Sequence, residues 1–214
     1  MPLYLLDHTL TFPPVELAEP DGMLAVGGDL STERLLKAYR LGIFPWYDEP
    51  PICWWCPDPR FVLFPAELKV SKSMRTVLQN GRFEFRVNYA FREVMTACQQ
   101  ARRRGQDGTW INEEIIDAYT ALHEQGYAWS AEAWQQGQLV GGLYGIRLGK
   151  VFFGESMFSA VSNASKFAFI QWVRQLESEG VVLIDCQVHT EHLESLGARF
   201  ISRESFTTML DQYC

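Results

Sequence analysis

Asp185 and Gln187 stand two residues apart at the end of the apolar run Val181-Val182-Leu183-Ile184. In a strand, residues two apart face the same side. A carboxylate and an amide are therefore expected side by side where a buried strand comes to an end. Two readings follow. The pair can simply end the strand, with the amide bonded to nearby backbone, or it can accept and orient the hydrogens of a visiting amine. Glu155 is the one acid in the apolar stretch Val151-Phe152-Phe153-Gly154-Glu155-Ser156-Met157-Phe158. It could hold a substrate amine or bond internally to backbone. Trp46 and Trp110 offer flat faces on which a nucleobase could stack, or with which two domains could pack.

The cations point elsewhere. Lys69, Lys72 and Arg75 are spaced by three and are expected on one helix face. Arg102-Arg103-Arg104 is the densest basic run. Without a polyanionic partner either group is ordinary solvated surface. Cys53-x-x-Cys56 and His189-x-x-His192 have spacings that zinc tolerates, but the two halves lie far apart in sequence. They are read as solitary thiols and surface histidines, with no metal. Neither a Walker-type phosphate loop nor a dinucleotide fingerprint is present, so no nucleotide cofactor is expected.

Composition bounds these possibilities. The chain has 214 residues, 47% of them apolar, with 7 Trp, 8 Tyr and 14 Phe. That is enough for a sizeable core and too apolar for a disordered chain. The net charge of -7 argues against gripping nucleic acid through the overall field, so any such contact must be local. Met1-Pro2-Leu3-Tyr4 does not begin a signal peptide, and no stretch has the apolar length of a membrane span. Five cysteines without a mark of secretion read as reduced thiols of a cytoplasmic protein. No coiled coil is apparent, which leans toward a monomer.

The elements that must position these residues follow from periodicity. Most of the proline precedes residue 66, and residues 1–60 are expected to form a small domain with little regular structure. Its one helix would start at Ser31, carry Leu35, Leu36 and Tyr39 inward, and stop at Gly42. Residues 61–214 are expected to form the second domain. Phe83, Phe85 and Val87 alternate as a strand, and Asn88 is placed to cap a helix carrying Phe91, Val94, Met95 and Cys98. A further helix follows Asn112, then three strands at about 127–134, 138–147 and 150–158. A long helix opens at Ser162 or Asn163 and runs to Gly180. A buried strand at 181–185, a short helix at 190–196 and a strand near 199–202 complete the order. This α+β order, a mixed sheet flanked by helices, resembles the acyl-CoA N-acetyltransferase fold. It would put chemistry in the groove beside the fourth strand, the long helix and the fifth strand.

Several strings are more specific. Gly27-Gly28-Asp29-Leu30-Ser31, Gly42-Ile43-Phe44-Pro45-Trp46, Trp54-Trp55-Cys56-Pro57-Asp58-Pro59-Arg60 and Gly108-Thr109-Trp110-Ile111 come first. Leu139-Val140-Gly141-Gly142-Leu143-Tyr144-Gly145, Phe153-Gly154-Glu155-Ser156-Met157-Phe158-Ser159, Asn163-Ala164-Ser165-Lys166, Leu183-Ile184-Asp185-Cys186-Gln187 and Ser195-Leu196-Gly197-Ala198 follow. In this order, from about residue 12 onward, they resemble the leucyl/phenylalanyl-tRNA–protein transferase family. The resemblance implies an aminoacyltransferase that moves Leu or Phe from aminoacyl-tRNA to the α-amine of proteins beginning with Arg or Lys, marking them for degradation. It implies no cofactor, because the ester is already activated.

The resemblance also implies roles. Gln187 would accept from the attacking amine, with Asp185 polarising it. Leu143, Phe152, Met157, Phe169, Trp172 and Ile184 would line the pocket for the apolar side chain, and Glu155 would hold a substrate amine. Trp46 and Trp110 would meet the terminal adenine, and Lys69, Lys72 and Arg75 the tRNA body. Two features depart from the family or bear on selectivity. Trp129 stands where the family has His, and the bulk of Trp172 is expected to narrow the pocket in favour of Leu. Two rival readings remain. A CoA-dependent N-acetyltransferase would need a glycine-rich pyrophosphate loop, which Ser159-Ala160-Val161-Ser162-Asn163-Ala164-Ser165 lacks. A non-catalytic RNA-binding module sits poorly with the acidic charge.

Overall fold

The computed structural model describes residues 4–101 and 110–214; the arginine run at 102–104 and the start of the 108–111 string lie outside the described residues. The N-terminal strands are β1 (Tyr4–Leu6), β2 (Met23–Gly27), β3 (Phe44–Pro45) and β4 (Cys53–Trp55), with helix α1 (Thr32–Arg40) between β2 and β3. The strands form a sheet in the order β1-β2-β4-β3. Residues 1–60 thus hold more regular structure than their proline content predicts. Each strand is five residues or fewer, too short to display an alternating pattern. Leu35, Leu36 and Tyr39 are buried on α1, as the stripe requires.

Next come β5 (Arg60–Leu63), α2 (Lys72–Gln79), β6 (Glu84–Val87), α3 (Phe91–Gln100), α4 (Glu113–Glu124), β7 (Ala128–Gln135), β8 (Gln138–Leu148) and β9 (Val151–Ser159). They are followed by α5 (Ala164–Ser178), β10 (Leu183–Gln187), α6 (Glu191–Ser195), β11 (Arg199–Ile201) and α7 (Arg203–Tyr213). Seven strands form a mixed sheet in the order β11-β5-β10-β9-β8-β7-β6. β10 runs parallel to β9 and antiparallel to β5. The observed class is α+β with a mixed, helix-flanked sheet, as expected. Two of its elements had no signal in the pattern. β5 follows Pro59 and is only four residues long. α7 buries just Phe206 and Leu210, one turn apart, so its apolar stripe is too thin to read.

The sheet separates two apolar layers. On one face Tyr144, Ile146 and Phe153 join α1, α3, α4 and α7 in a continuous core that also contains Trp54 of β4. On the other, Leu143, Phe152 and Ile184 pack with α5. Gly141 allows α5 to seat, because a Cβ there would come within 2.5 Å of the Ala164 Cβ. Asn112 caps α4 by accepting from the Ile115 amide at 2.9 Å. The cap expected from Asn88 is supplied by another residue. Asn88 adopts a left-handed φ of 54° and accepts from the Ser130 amide. The fully buried Glu132 accepts instead from the amides of Tyr89 and Ala90 at the start of α3. A carboxylate 42 residues further along the chain from Ala90 is invisible to a local capping rule.

Candidate active site

Pairing between β9 and β10 runs from Val151↔Leu183 to Phe153↔Asp185 and goes no further. Beyond that point the strands diverge, and a cavity of about 340 Å³ lies between them and α5. Leu143, Met157, Phe169, Ile184 and Leu193 line its apolar side; Glu155, Asp185 and Gln187 line the polar side; Ser165, Thr190 and His192 stand around the rim. Leu143 faces Met157 across β8 and β9, which is why those two share one wall.

Two adjacent irregularities build the polar side. Tyr144 pairs with Ser156 and Gly145 with Gly154, so Glu155 has no partner on β8. Asp185 pairs with Val62 and Gln187 with Phe61, so Cys186 has none on β5. Each is a one-residue bulge, a device that re-aims a side chain. Gln187 consequently leaves the extended conformation for a φ of 61°. The simple alternation expected of Asp185 and Gln187 therefore fails. Their side chains do not bond to each other, and the link between them is the Gln187 amide N–H donating to Asp185 Oδ1 at 2.9 Å.

The Gln187 side chain turns to Glu155, its Nε2 donating to Oε1 at 2.9 Å. Glu155 also accepts from the hydroxyl of Tyr39 at 2.8 Å and from that of Tyr119 at 3.3 Å, and the two hydroxyls bond to each other. Burial pushes the Glu155 carboxyl up to about 7, with the nearby Asp185 charge adding to the rise. Burial and the Glu155 charge raise both phenols too, so they remain donors. Asp185 is completely buried and its carboxylate is occupied by Arg60, with Nε to Oδ1 at 2.8 Å and Nη2 to Oδ2 at 2.7 Å.

Of the residues singled out in sequence, Leu143, Glu155, Met157, Phe169, Ile184, Asp185 and Gln187 meet at this cavity. Phe152 and Trp172 stand behind its wall, edge to face at 5.5 Å. Trp172 is buried and stacks on Trp129, so its bulk does not reach the cavity surface. Trp46 is 40% exposed beside Trp55, whereas Trp110 is 6% exposed in the core and offers no open face. Lys72 and Arg75 are exposed on α2; Lys69 is exposed but precedes its cap, Ser71, so the three do not share one helix face. Of the histidines, His189 bonds to Glu194. Among the described residues no group of three or more His, Cys, Asp or Glu is arranged to hold a metal ion, and no helix is long and apolar enough to cross a membrane.

Sequence reasoning missed Arg60, Tyr39 and Tyr119 as parts of the site. Tyr39 belongs by periodicity to the apolar stripe of α1, and Tyr119 lies among the buried residues of α4; their hydroxyls carry the polar role. Gly145 and Gly154, paired opposite each other, were the available signal for a bulge at Glu155.

An apolar recess ending at a buried carboxyl–amide pair, set in a splayed mixed sheet, defines a protein built to bring a hydrophobic group and a polar reacting group together. Residues 62–211 match the leucyl/phenylalanyl-tRNA protein transferase family, and residues 28–58 match its N-terminal domain. This chain belongs to that family. A leucyl/phenylalanyl-tRNA–protein transferase of Syntrophobacter fumaroxidans is 56% identical over 98% of this chain and 90% of its own length. One from Nitrosospira multiformis is 59% identical over 94% of this chain and 88% of its own length. Among solved structures, FemX superposes with a TM-score of 0.49 at 10% identity, covering 83% of this chain and 70% of that one.

Proposed function

We propose that the cavity is where a leucyl or phenylalanyl group, esterified to tRNA, meets the α-amine of an acceptor protein. The family makes the chain an aminoacyltransferase acting on aminoacyl-tRNA and protein. The finer reading is that acceptors begin with Arg or Lys and are marked for degradation, that the enzyme works as a cytoplasmic monomer, and that it needs no cofactor.

The observation that carries this reading is the contact between Gln187 and Glu155 at the end of the apolar recess. The amine nitrogen attacks the ester carbonyl, the C–O bond to the ribose breaks, and the amine proton ends on the departing ribose oxygen. The nucleophile has an unperturbed pKa of roughly 8, so a useful neutral fraction exists near pH 7. Holding amine and ester together supplies much of the acceleration. Gln187 Nε2 is engaged by Glu155, which leaves the amide oxygen to accept from the amine. Glu155, rather than Asp185, therefore polarises the Gln187 amide. With a carboxyl near 7, Glu155 is also suited to hold the proton between nitrogen and ribose oxygen.

Leu143, Met157, Phe169 and Ile184 receive the apolar side chain. Trp46 is the ring available for the terminal adenine, and Lys69, Lys72 and Arg75 meet the tRNA body. The division at residue 60 belongs to the same proposal, with Tyr39 of the first segment reaching into the site of the second. The test is transfer of labelled Leu or Phe from charged tRNA to an Arg-starting peptide in the absence of CoA. No transfer, or equal transfer to a peptide whose α-amine is blocked, refutes the reading.

A further inference from the structure

Arg60 is 1% exposed and does not line the cavity, yet among the described residues it is the cation that grips the site's Asp185. Its guanidinium grips Asp185 through two parallel bonds. Its flat faces are covered by Phe44 from the N-terminal sheet, at 4.8 Å, and by Phe206 from α7, at 4.6 Å. Gly42 makes room for this lid: a Cβ there would lie 2.9 Å from the Phe206 ring. Asp185 Oδ1, already bonded to Arg60 Nε, also accepts from the Gln187 amide. The hydrogen bonds of Asp185 thus serve two tasks, pairing with Arg60 and pinning the backbone of Gln187.

That backbone needs pinning. A side chain strains the left-handed region that Gln187 occupies, and Gln187 has no β9 partner to hold it. A buried carboxylate can perform the pinning only while it is held fixed, and in this apolar setting the buried guanidinium that grips both its oxygens holds it. Lysine would keep the charge but lose the two-pronged grip and the flat faces that Phe44 and Phe206 sandwich.

We propose that Arg60 is a positioning residue for the transfer reaction. It acts through Asp185 to set the bulged conformation that presents the Gln187 amide, and so controls turnover more than substrate affinity. This rests on the reading of Gln187 given above.

The experiment measures kcat and KM for Leu-tRNA and an Arg-starting peptide in Arg60→Lys, Asp185→Asn, the double variant and Gln187→Ala, with urea unfolding of each. The expected result is a folded Arg60→Lys with kcat reduced at least thirtyfold and KM within threefold. The double variant is expected to be no slower than the slower single one, as for residues that act as one unit. A folded Arg60→Lys with kcat within threefold of the parent overturns the inference, as does a double variant whose losses multiply. Should Arg60→Lys fail to fold, Phe206→Leu, which uncovers one face of the guanidinium and leaves its bonds, must show the same kcat-selective loss, and an unchanged kcat there overturns the inference. If Gln187→Ala itself retains full turnover, the reading of Gln187 fails first, and the two failures are told apart.

Discussion

The apolar floor of the cavity comes from elements close together in the chain: β8, β9 and α5, with Ile184 from β10 and Leu193 from α6. The polar wall draws Tyr39 from α1, Arg60 from β5, Tyr119 from α4, Glu155 from β9 and Asp185 with Gln187 from β10. In the floor several side chains do one interchangeable job, filling space against a hydrocarbon. In the wall each group has a separate task and its own bond. A redundant surface should absorb substitution, and a chain of single bonds should not.

The largest effect that follows is on the wall. Glu155→Gln preserves shape and removes the charge that polarises Gln187. It should lower kcat by roughly 10²–10³, the scale of removing one preorganised group, with the unfolding transition kept. A loss under fivefold would erase the contrast between the two surfaces.

Next is a pH signature. The Glu155 carboxyl is raised in the folded state from an ordinary 4.5 to about 7. Between those values the folded protein binds more protons than the unfolded chain, so stability falls as pH rises through the window and levels off above it. The contribution lost is about 3 kcal/mol. Urea unfolding from pH 4.5 to 8 should show this decline in the parent and a shallower one in Glu155→Gln; parallel curves would refute the raised carboxyl.

Smaller effects sharpen the contrast from the other side. Trp46→Ala should raise KM for charged tRNA about tenfold, the scale of one lost base stack, while kcat stays put. Met157→Ala widens the floor and should move the ratio of Phe to Leu transfer several-fold toward Phe, since methylenes in such pockets discriminate by roughly 1–3 kcal/mol. Trp172→Phe should change that ratio less than threefold, because the ring lies behind the wall. A large swing from Trp172→Phe, measured as initial rates with the two charged tRNAs, would mean that the floor transmits strain and is not redundant.

The two surfaces also differ in how legible they were. Leu143, Met157, Phe169 and Ile184 were implied by the family resemblance, and they line one cavity. Asp185, Gln187 and Glu155 were identified as residues but not as a geometry. Period-two alternation put Asp185 against Gln187, whereas two bulges put Glu155 there instead. A bulge is a fact about pairing with another strand, and a single strand's sequence carries only hints of it, such as Gly145 and Gly154. Arg60, Tyr39 and Tyr119 escaped notice because their tasks are tertiary. Likewise β5 and α7, the supports of the wall, are short or weakly patterned. Trp110 was read by type as a stacking ring and is packed inside.

The helix formed by Arg203–Tyr213 contributes no residue to the lining of the recess, yet Phe206 is half of the lid over the Arg60 guanidinium. Removing that ring would leave every residue lining the recess in place and still uncover one face of the guanidinium beneath Gln187. A site whose reacting groups sit on one set of elements thus depends on a ring carried by another.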